Sequence, residues 1–343
     1  MSGSGGETLA TAYDLLMFDL DGVVYVDGRA VAHAPESIAE ARAGGAHIAF
    51  ITNNAARTPE QVAEHLRELG VQATTSDVVT SSQAAAHVLL EAHGPGAQIA
   101  VLGAEGLVAA LTEAGLSPVE VGDASAVALV SGYAPEVRWR VIMRAATLIR
   151  EGLPWVATNT DLTLPLGNGL APGHGLLVKL ISDFAGVEPQ VAGKPQRPLL
   201  DETRRRVSGT RPLMVGDRLD TDIAGGHRAE VDSLLVMTGV SSLDDVVSAA
   251  PDERPTFIGH DLTALTRPGL RATRDGDSFT AGSQTASVDR GGRLQVEGDA
   301  ASAADRDAWW TVVAAAGWQH LDQVGRQADV SGVAPPARSP APG

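Results

Sequence analysis

Short apolar runs that end on polar residues recur along roughly the first three quarters of the chain. Three of these runs lead directly into Asp19, Thr52 and Asp217. Runs of four to eight apolar residues bounded by turn-forming residues are typical of strands buried in a parallel sheet. Segments with helical spacing lie between them, and the one that starts at Pro59 has Thr58 as its predicted N-cap. The pattern predicts an α/β fold with a parallel sheet.

The strand and helix pattern restarts within the chain, which indicates an inserted domain. We predict a Rossmann-like core from residues 12–82 and 184–264, and an inserted α/β cap domain from residues 83–183. The exit of this insertion, residues 158–169, is polar and turn-rich. It is either an ordinary loop or a part of the cap that touches a substrate.

The last quarter of the chain has a different pattern. Strand-like segments precede a helix that we expect from about residue 303 to 321, and this helix carries three of the five tryptophans. Apolar residues on one of its faces predict a small core or a docking surface. We therefore expect a small α+β C-terminal domain at 265–331, and disordered tails at 1–11 and 332–343.

Composition narrows the possible functions. The chain has 343 residues, 44% of them apolar, a formal net charge of −16 and no cysteine. The absence of cysteine excludes disulfides and thiol catalysis, and weakly favours a cytoplasmic location. The negative charge disfavours nucleic acid and acidic membranes as partners, and no apolar stretch approaches the ~20 residues of a membrane span. An anionic substrate would need a metal ion or local cations.

Two carboxylates follow the first strand, in the segment Asp19-Leu20-Asp21-Gly22. Ligands of open α/β sheets bind at the carboxyl ends of the strands, so Asp19 is expected at the mouth of a site. Paired carboxylates suit a magnesium ion, a nucleophile with an acid/base partner, or both. The same spacing also occurs by chance in turns and calcium loops, so further residues must decide.

Polar residues and a lysine supply the remaining candidates for an anion site. Thr52-Asn53-Asn54 is either an Asn-rich turn or a group of donors to phosphoryl oxygens. Lys194 is one of only two lysines, and Gly193 and Pro195 restrict the backbone around it. An ammonium group held in this way is suited to binding a phosphate or a carboxylate.

Three more carboxylates, Asp217, Asp220 and Asp222, follow the strand at 212–216. Acidic residues at a helix N-terminus would explain one or two of them, but not Asp217, which directly follows its strand as Asp19 does. Carboxylates this close repel one another unless a cation or hydrogen bonds compensate. Aspartyl-phosphate chemistry requires a carboxylate nucleophile, a second carboxylate, a hydroxyl donor, a cation and a metal-binding carboxylate. This chain offers such a set in Asp19, Asp21, Thr52, Lys194 and Asp217.

These four segments resemble the four motifs of the haloacid dehalogenase (HAD) superfamily. The resemblance covers residues 12–262, and the insertion is similar to the C2-type cap of the NagD and 4-nitrophenyl phosphatase branch. Within this branch the chain most resembles the actinobacterial glycerol-3-phosphate phosphatases, including the segment at 254–262. The resemblance implies a magnesium-dependent phosphatase with a Rossmann-like core, and a role in glycerophospholipid metabolism.

The resemblance also implies roles for the acidic residues. Asp19 would attack phosphorus, and Asp21 would protonate the leaving alkoxide and then activate water. Mg²⁺ would be bound by the side chains of Asp19 and Asp217 and by the backbone carbonyl of Asp21. Asp222 would support this metal site, and Asp220 is left as a supporting or surface residue. The acid at Asp21 favours a phosphatase over a dehalogenase, because carbon–halogen displacement needs no acid for its leaving group.

The other motif residues are expected to bind the substrate. Thr52, Asn53 and Asn54 would hold phosphoryl oxygens, and Lys194 would offset their negative charge. Pyridoxal phosphate phosphatases of this branch carry a His in the cap loop, where this chain has Leu164. This difference disfavours pyridoxal phosphate as the substrate.

Glycerol 3-phosphate is the substrate expected from the resemblance. Phosphoglycolate, pyridoxal phosphate and nucleotide monophosphates are alternatives, and a homodimer through the cap is a further expectation from the family. A different class of function is a binding or regulatory protein that acts through its C-terminal domain. Acetyl transfer by that domain is disfavoured, because no Arg/Gln-x-x-Gly-x-Gly/Ala pyrophosphate loop is present.

Overall fold

The computed structural model describes residues 7–166 and 169–337 of the chain. The helices are α1 (Leu9–Ala12), α2 (Ala34–Ala43), α3 (Pro59–Glu68), α4 (Ser81–His93), α5 (Glu105–Glu113), α6 (Trp139–Arg150), α7 (His174–Ala185), α8 (Pro198–Arg206), α9 (Ala224–Arg228), α10 (Leu243–Ser248) and α11 (Ala303–Val324). The strands are β1 (Leu15–Phe18), β2 (Tyr25–Val26), β3 (Arg29–Ala30), β4 (His47–Thr52), β5 (Val78–Thr80), β6 (Gln98–Leu102), β7 (Ser117–Val119), β8 (Ala128–Ser131), β9 (Trp155–Ala157), β10 (Thr163–Leu166), β11 (Gly169–Pro172), β12 (Gln190–Val191), β13 (Pro212–Gly216), β14 (Asp232–Val236), β15 (Phe257–Gly259), β16 (Thr273–Asp275), β17 (Ser278–Ala281), β18 (Gln284–Val288) and β19 (Leu294–Glu297).

The chain divides into two units. The first contains the described parts of Met1–Ile48, Leu69–Gln72 and Ser208–Gly343, and the second contains Ala49–Glu68 and Ala73–Val207. This division differs from the predicted core and cap boundaries at 83 and 183. Strand β12 pairs with β9, and helix α8 packs on α4 and β5, so these segments belong to the second unit.

Parallel strands β15, β14, β13 and β1 lie side by side, in that order, in the first unit. All four residues of β1 are buried, as expected for a strand covered on both faces. Because these strands are parallel, the residues that follow them gather at one edge of the sheet. Asp19 follows β1, and Asp217 follows β13 at this edge.

The C-terminal segment of the first unit is an antiparallel sheet, β16 to β19, packed against helix α11. Its α+β character was predicted, but its packing was not. Trp309, Trp310 and Val313 of α11 belong to one apolar cluster with Leu235 of β14 and Val246 of α10. The long helix is therefore buried on more than one face, and its apolar residues pack inside the unit instead of forming a docking surface.

The second unit contains three groups of paired strands. Strands β4 and β5 pair in parallel, and a five-stranded parallel sheet has the order β12-β9-β8-β6-β7. Strands β10 and β11 form an antiparallel hairpin within the predicted polar exit of the cap, with Thr163 opposite Pro172. Helices α6 and α7 pack against each other beside the five-stranded sheet.

The prediction of a disordered N-terminal tail at 1–11 is wrong for the last residues of that range. Leu9 and Ala10 belong to α1 and are buried, because α1 packs on the short helical turn at Leu262–Thr266. Residues 1–6 and 338–343 of the two predicted tails lie outside the described residues, and 333–337 have no regular secondary structure. No helix within 7–166 or 169–337 is both long and apolar enough to cross a membrane.

Candidate active site

Three carboxylates meet at the strand edge of the first unit. Each of Asp19, Asp217 and Asp222 offers one oxygen, and these oxygens lie within 4.8 Å of one another. Asp217 and Asp222 are completely buried, and Asp19 is partly exposed. Burying like charges together is unfavourable without a cation or hydrogen bonds to compensate. We refer to these three residues as the acidic cluster.

Glycines surround the acidic cluster at the points of closest approach. A Cβ at Gly22 or at Gly239 would overlap the Asp217 carboxylate, and a Cβ at Gly216 would overlap the side chain of Asp222. Gly22 also has a φ of +87°, a conformation that other residues rarely adopt. The sequence thus keeps these positions free of side chains so that the backbone can close around the carboxylates.

Hydrogen bonds from backbone N–H groups and from one hydroxyl group fix the orientation of two cluster members. Asp217 Oδ2 accepts from Val240 N at 2.6 Å, and Asp217 O accepts from Ser241 Oγ at 2.6 Å. Asp222 Oδ2 accepts from the backbone N–H groups of Asp217 and Arg218, both at 3.1 Å. Asp222 therefore shapes the turn that carries Asp217, which fits its predicted supporting role.

The segment after β14 was not recognised from the sequence as part of this site. It provides Val240 N and Ser241 Oγ to Asp217, and Thr238 Oγ1 donates to Gly22 O at 2.6 Å. The sequence did carry a signal for this segment, because the small and hydroxyl residues Thr238, Gly239, Ser241 and Ser242 closely follow a buried strand.

Two further acidic residues of the motifs lie at the surface. Asp21 is exposed, directly before Gly22, and its neighbour Gly22 donates its N–H to Tyr25 O at 2.8 Å. Asp220 is also exposed, and it accepts from the Arg218 guanidinium at 2.8 and 3.1 Å. Asp220 is therefore a surface residue that is engaged with its neighbour.

The predicted phosphate-binding turn lies at the end of β4 in the second unit. Thr52 Oγ1 accepts from Asn54 N at 3.0 Å, and Asn54 Oδ1 accepts from Ala56 N at 3.0 Å. These side-chain to backbone bonds are those of an Asx or ST turn. The two interpretations of this segment are compatible, because such turns also direct backbone N–H groups outward.

Lys194 belongs to the same unit as this turn and is only 2% exposed. Its N–H donates to Asn53 Oδ1 at 2.8 Å, and its carbonyl accepts from Asn53 Nδ2 at 3.0 Å. The structure thus brings the motif that contains Lys194 to the motif that contains Asn53, which lies 141 residues earlier in the chain. Asp161, which lies in the polar segment 158–169 but was not singled out from the sequence, accepts from Asn53 Nδ2 at 3.1 Å.

The acidic cluster has the composition of a magnesium site. Magnesium prefers six oxygen ligands at about 2.0–2.1 Å and is bound in proteins by one or two carboxylates together with water. Three carboxylate oxygens within 4.8 Å can supply such ligands, and a divalent cation would neutralise most of their charge. The donor set therefore fits the predicted Mg²⁺.

Comparisons with known proteins agree with this geometry. A family model for haloacid dehalogenase-like hydrolases matches residues 16–117, and a HAD-hydrolase-like model matches residues 191–265. The D-glycerol 3-phosphate phosphatase of Mycobacterium tuberculosis is 43% identical over 259 residues, which are 76% of this chain and 72% of that protein. The acid sugar phosphatase of Staphylococcus aureus is 36% identical over 253 residues, 73% of this chain and 95% of its own length.

Solved structures extend the similarity to almost the whole chain. The glycerol phosphate phosphatase of Mycobacterium tuberculosis in complex with calcium has a TM-score of 0.80 and 37% identity, covering 92% of this chain and 91% of that one. Its magnesium complex has a TM-score of 0.78 and 38% identity, covering 91% and 92%. The predicted α/β fold class and family are confirmed, and the chain belongs to the haloacid dehalogenase-like hydrolases.

Proposed function

We propose that the chain is a magnesium-dependent phosphatase that hydrolyses a small phosphate monoester through an aspartyl-phosphate intermediate. The observation that carries this proposal is the acidic cluster, in which Asp19 stands partly exposed beside two buried carboxylates. An exposed carboxylate at the end of a buried strand can reach a substrate, whereas Asp217 and Asp222 are enclosed.

Asp19 and Asp217 would hold Mg²⁺ through their side chains, and Asp21 would do so through its backbone carbonyl. Asp222 supports them by fixing the turn of Asp217. The ion would neutralise charge on the phosphoryl oxygens and reduce repulsion between substrate and nucleophile.

Asp19 is the proposed nucleophile and Asp21 the acid/base partner. An oxygen of Asp19 forms a bond to phosphorus while the bond from phosphorus to the ester oxygen breaks. Asp21 gives its proton to the departing oxygen, and then removes one from the water that attacks the aspartyl phosphate. Water thereby replaces the alcohol on phosphorus, and both carboxylates return to their starting state.

The second unit would supply phosphate binding. Thr52, backbone N–H groups of Asn53 and Asn54, and the Lys194 ammonium would bind phosphoryl oxygens. These roles are carried over from the motif resemblance. The burial of Lys194 supports its part, because a lysine is rarely buried without a partner or function.

Glycerol 3-phosphate is the substrate that we propose. It is the substrate named for the mycobacterial relative, which shares 43% of aligned residues with this chain. The staphylococcal relative is named for acid sugar phosphates, so phosphorylated sugars join phosphoglycolate and nucleotide monophosphates as alternatives. Leu164, half-buried in β10, replaces the His expected for pyridoxal phosphate.

A panel of phosphate monoesters, ranked by kcat/KM with Mg²⁺ and with EDTA, tests this function. We expect glycerol 3-phosphate to rank first, and EDTA to abolish turnover. Asp19→Asn should also abolish turnover, because an amide is a poor nucleophile. Asp220→Asn changes an exposed carboxylate near the same site and should retain activity. Wild-type turnover in Asp19→Asn would reject the mechanism.

We also propose that the chain forms a homodimer through helices α6 and α7. Five large apolar side chains on these neighbouring helices are each at least 40% exposed: Trp139, Met143, Leu176, Leu180 and Phe184. Contiguous exposed apolar surface of this kind marks interaction sites. A two-fold axis through this surface would bring the same apolar side chains of the two protomers together.

The mass in solution tests the dimer. Light scattering should give twice the 35.3 kDa chain mass for the wild type and the single mass for a Met143→Glu/Phe184→Glu variant. Val108→Glu, at an exposed apolar position of α5, is the matched control and should stay dimeric. A monomeric wild type would reject this interface.

A cytoplasmic location stays a prediction from the cysteine-free composition.

A further inference from the structure

The side chain of Asn53 is fully occupied within the second unit. Its Nδ2 donates to Lys194 O at 3.0 Å and to Asp161 Oδ1 at 3.1 Å, and its Oδ1 accepts from Lys194 N at 2.8 Å. A primary amide has two N–H donors, and both are used here. The side chain could donate to a phosphoryl oxygen only by breaking one of these bonds.

The bonds to Lys194 hold its backbone at two points. The Asn53 amide pairs with both the N–H and the carbonyl of Lys194, as a neighbouring strand would. Gly193 permits this approach, because a Cβ there would lie 2.5 Å from Asn53 Oδ1. Asn53 is itself fixed, since its carbonyl accepts from Ser81 Oγ at 2.8 Å and from Asn159 Nδ2 at 2.7 Å. The position of the Lys194 ammonium thus depends on Asn53.

The third partner of Asn53, Asp161, lies at the base of the β10–β11 hairpin. Gly175 N donates to Asp161 O, and Gly173 N donates to Leu162 O, both at 2.8 Å. A Cβ at Gly173 would overlap Asp161 O, and one at Gly175 would overlap Thr160 O. The segment entering the hairpin and the segment leaving it are therefore in tight contact, with the Asp161 side chain directed to Asn53.

We propose that Asn53 is a positioning residue that holds Lys194 and the hairpin base in one fixed arrangement, and that Asp161 is thereby a specificity-determining residue. This inference rests on the proposed phosphatase function, in which Lys194 binds the phosphoryl group. It also takes the second of the two interpretations of residues 158–169, that this part of the cap touches the substrate. It is compatible with phosphate binding by the backbone N–H of Asn53, because it concerns only the side chain. Asp161 fixes only the position of the hairpin, whereas Asn53 fixes the positions of the hairpin base and of the Lys194 backbone.

Selectivity between two esters tests the role of Asp161. Asp161→Ala should change the ratio of kcat/KM for glycerol 3-phosphate to that for 4-nitrophenyl phosphate by at least ~10-fold. Inhibition by inorganic phosphate, which has no ester group, should stay within ~2-fold of wild type. Asp161→Asn keeps an acceptor oxygen for Asn53 and should restore the ratio. Asp183→Asn, an exposed acid of α7 paired with Lys179, is the matched control.

Asn53→Ala should weaken both functions. We expect the same change in the ester ratio, and at least a ~10-fold weaker inhibition by inorganic phosphate, because the Lys194 backbone is released. Backbone hydrogen exchange gives a readout without turnover. Exchange should rise at residues 163–166 in both variants, at 193–196 in Asn53→Ala only, and at neither segment in Asp183→Asn.

Wild-type ester ratios and hairpin exchange in Asp161→Ala would overturn the inference. So would an Asn53→Ala variant that loses phosphate inhibition while exchange at 193–196 stays unchanged, because that result indicates direct phosphate binding by the side chain. If the wild type cleaves no ester, the proposed function fails, and the exchange measurements alone still decide whether Asn53 joins the two segments.

Discussion

The acidic cluster can form only because single glycine positions beside it carry no side chain. At Gly239 an added methyl group would overlap Asp217, a carboxylate that is fully buried and already bonded to Val240 N. No flexible side chain is available to yield, because Asp217 is held through its backbone as well. The absence of a side chain at this position is therefore as important to the site as the carboxylates.

We expect Gly239→Ala to lose ~10- to 100-fold in apparent Mg²⁺ affinity, measured as the metal dependence of turnover, because disturbing the groups that orient metal ligands costs that order of affinity. Gly332→Ala is the control, since Gly332 has no neighbour within 4 Å of an added Cβ and should behave as wild type. Unchanged metal dependence in Gly239→Ala would show that Asp217 is not a ligand.

His174 makes the second unit sensitive to acid. Burial lowers its pKa from 6.5 to about 4, and Ser131 Oγ lies 3.2 Å from its Nε2. The neutral ring is thus favoured in the folded state. Its contribution is complete above pH 6.5 and is lost as the pH falls towards 4, by up to about 3 kcal/mol for a shift of this size.

The melting temperature at pH 7 and at pH 4.5 checks this expectation. We expect the wild type to lose more stability between these values than His174→Asn, which cannot titrate but can still bond Ser131. All other titrating groups are shared, so equal losses in the two proteins would contradict the role of His174.

A buried acid of helix α11, Asp307, bonds to the segment that follows strand β15. Asp307 is 4% exposed, accepts from His260 N at 2.8 Å and forms an ion pair with Arg267. Burial raises the pKa of Asp307, although His260 and Arg267 oppose the increase. The same helix carries Asp322, an exposed acid that pairs with Arg254.

These two acids allow a matched comparison on one helix. Asp307→Ala removes the acceptor of His260 N and the ion-pair partner of Arg267, and we expect a loss of about 3 kcal/mol in unfolding free energy. Asp322→Ala breaks an exposed pair and should change stability much less. Urea denaturation of both variants measures the difference, and equal losses would show that Asp307 does not anchor the helix.

The elements that could be predicted from the sequence were those marked by a pattern of neighbouring residues. The ends of β1, β4 and β13 follow from apolar runs that stop at Asp19, Thr52 and Asp217. Short elements such as β12 have no such signal, because pairing with β9 alone defines them. Asp161 was missed for a similar reason, since its partner Asn53 is 108 residues away in the chain.

The sequence predicted helix α11 itself, but not how many of its faces are buried. One apolar face was expected, yet neighbouring residues Trp309 and Trp310 are both buried, and Trp318 Nε1 donates to Val246 O at 2.7 Å. Helical periodicity reveals a single apolar face well, but a helix enclosed by a sheet and another helix is apolar on several sides. Only the packing of the whole unit determines this.

At the scale of the molecule, the C-terminal segment completes the hydrophobic core of the first unit. Deleting residues from Arg267 onward would remove α11 and β16–β19 and expose Leu235, Val246 and Ile258. We expect that variant to be insoluble or unfolded, because large exposed apolar surfaces promote aggregation. Deletion from Ala334 onward keeps α11 and should leave the melting temperature and activity near wild type. A stable and active variant lacking 267–343 would contradict this view.

The burial of α11 also bears on how the protein is made. A ribosome releases Asp19, Asp217 and Asp222 well before it releases α11, so a growing chain holds all of its reactive carboxylates while one side of their sheet is still uncovered. Premature termination after Asp222 but before α11 would leave a polypeptide with the complete set of motifs and an open core. Translation of α11 therefore decides whether an enzyme or a substrate for chaperones and proteases emerges.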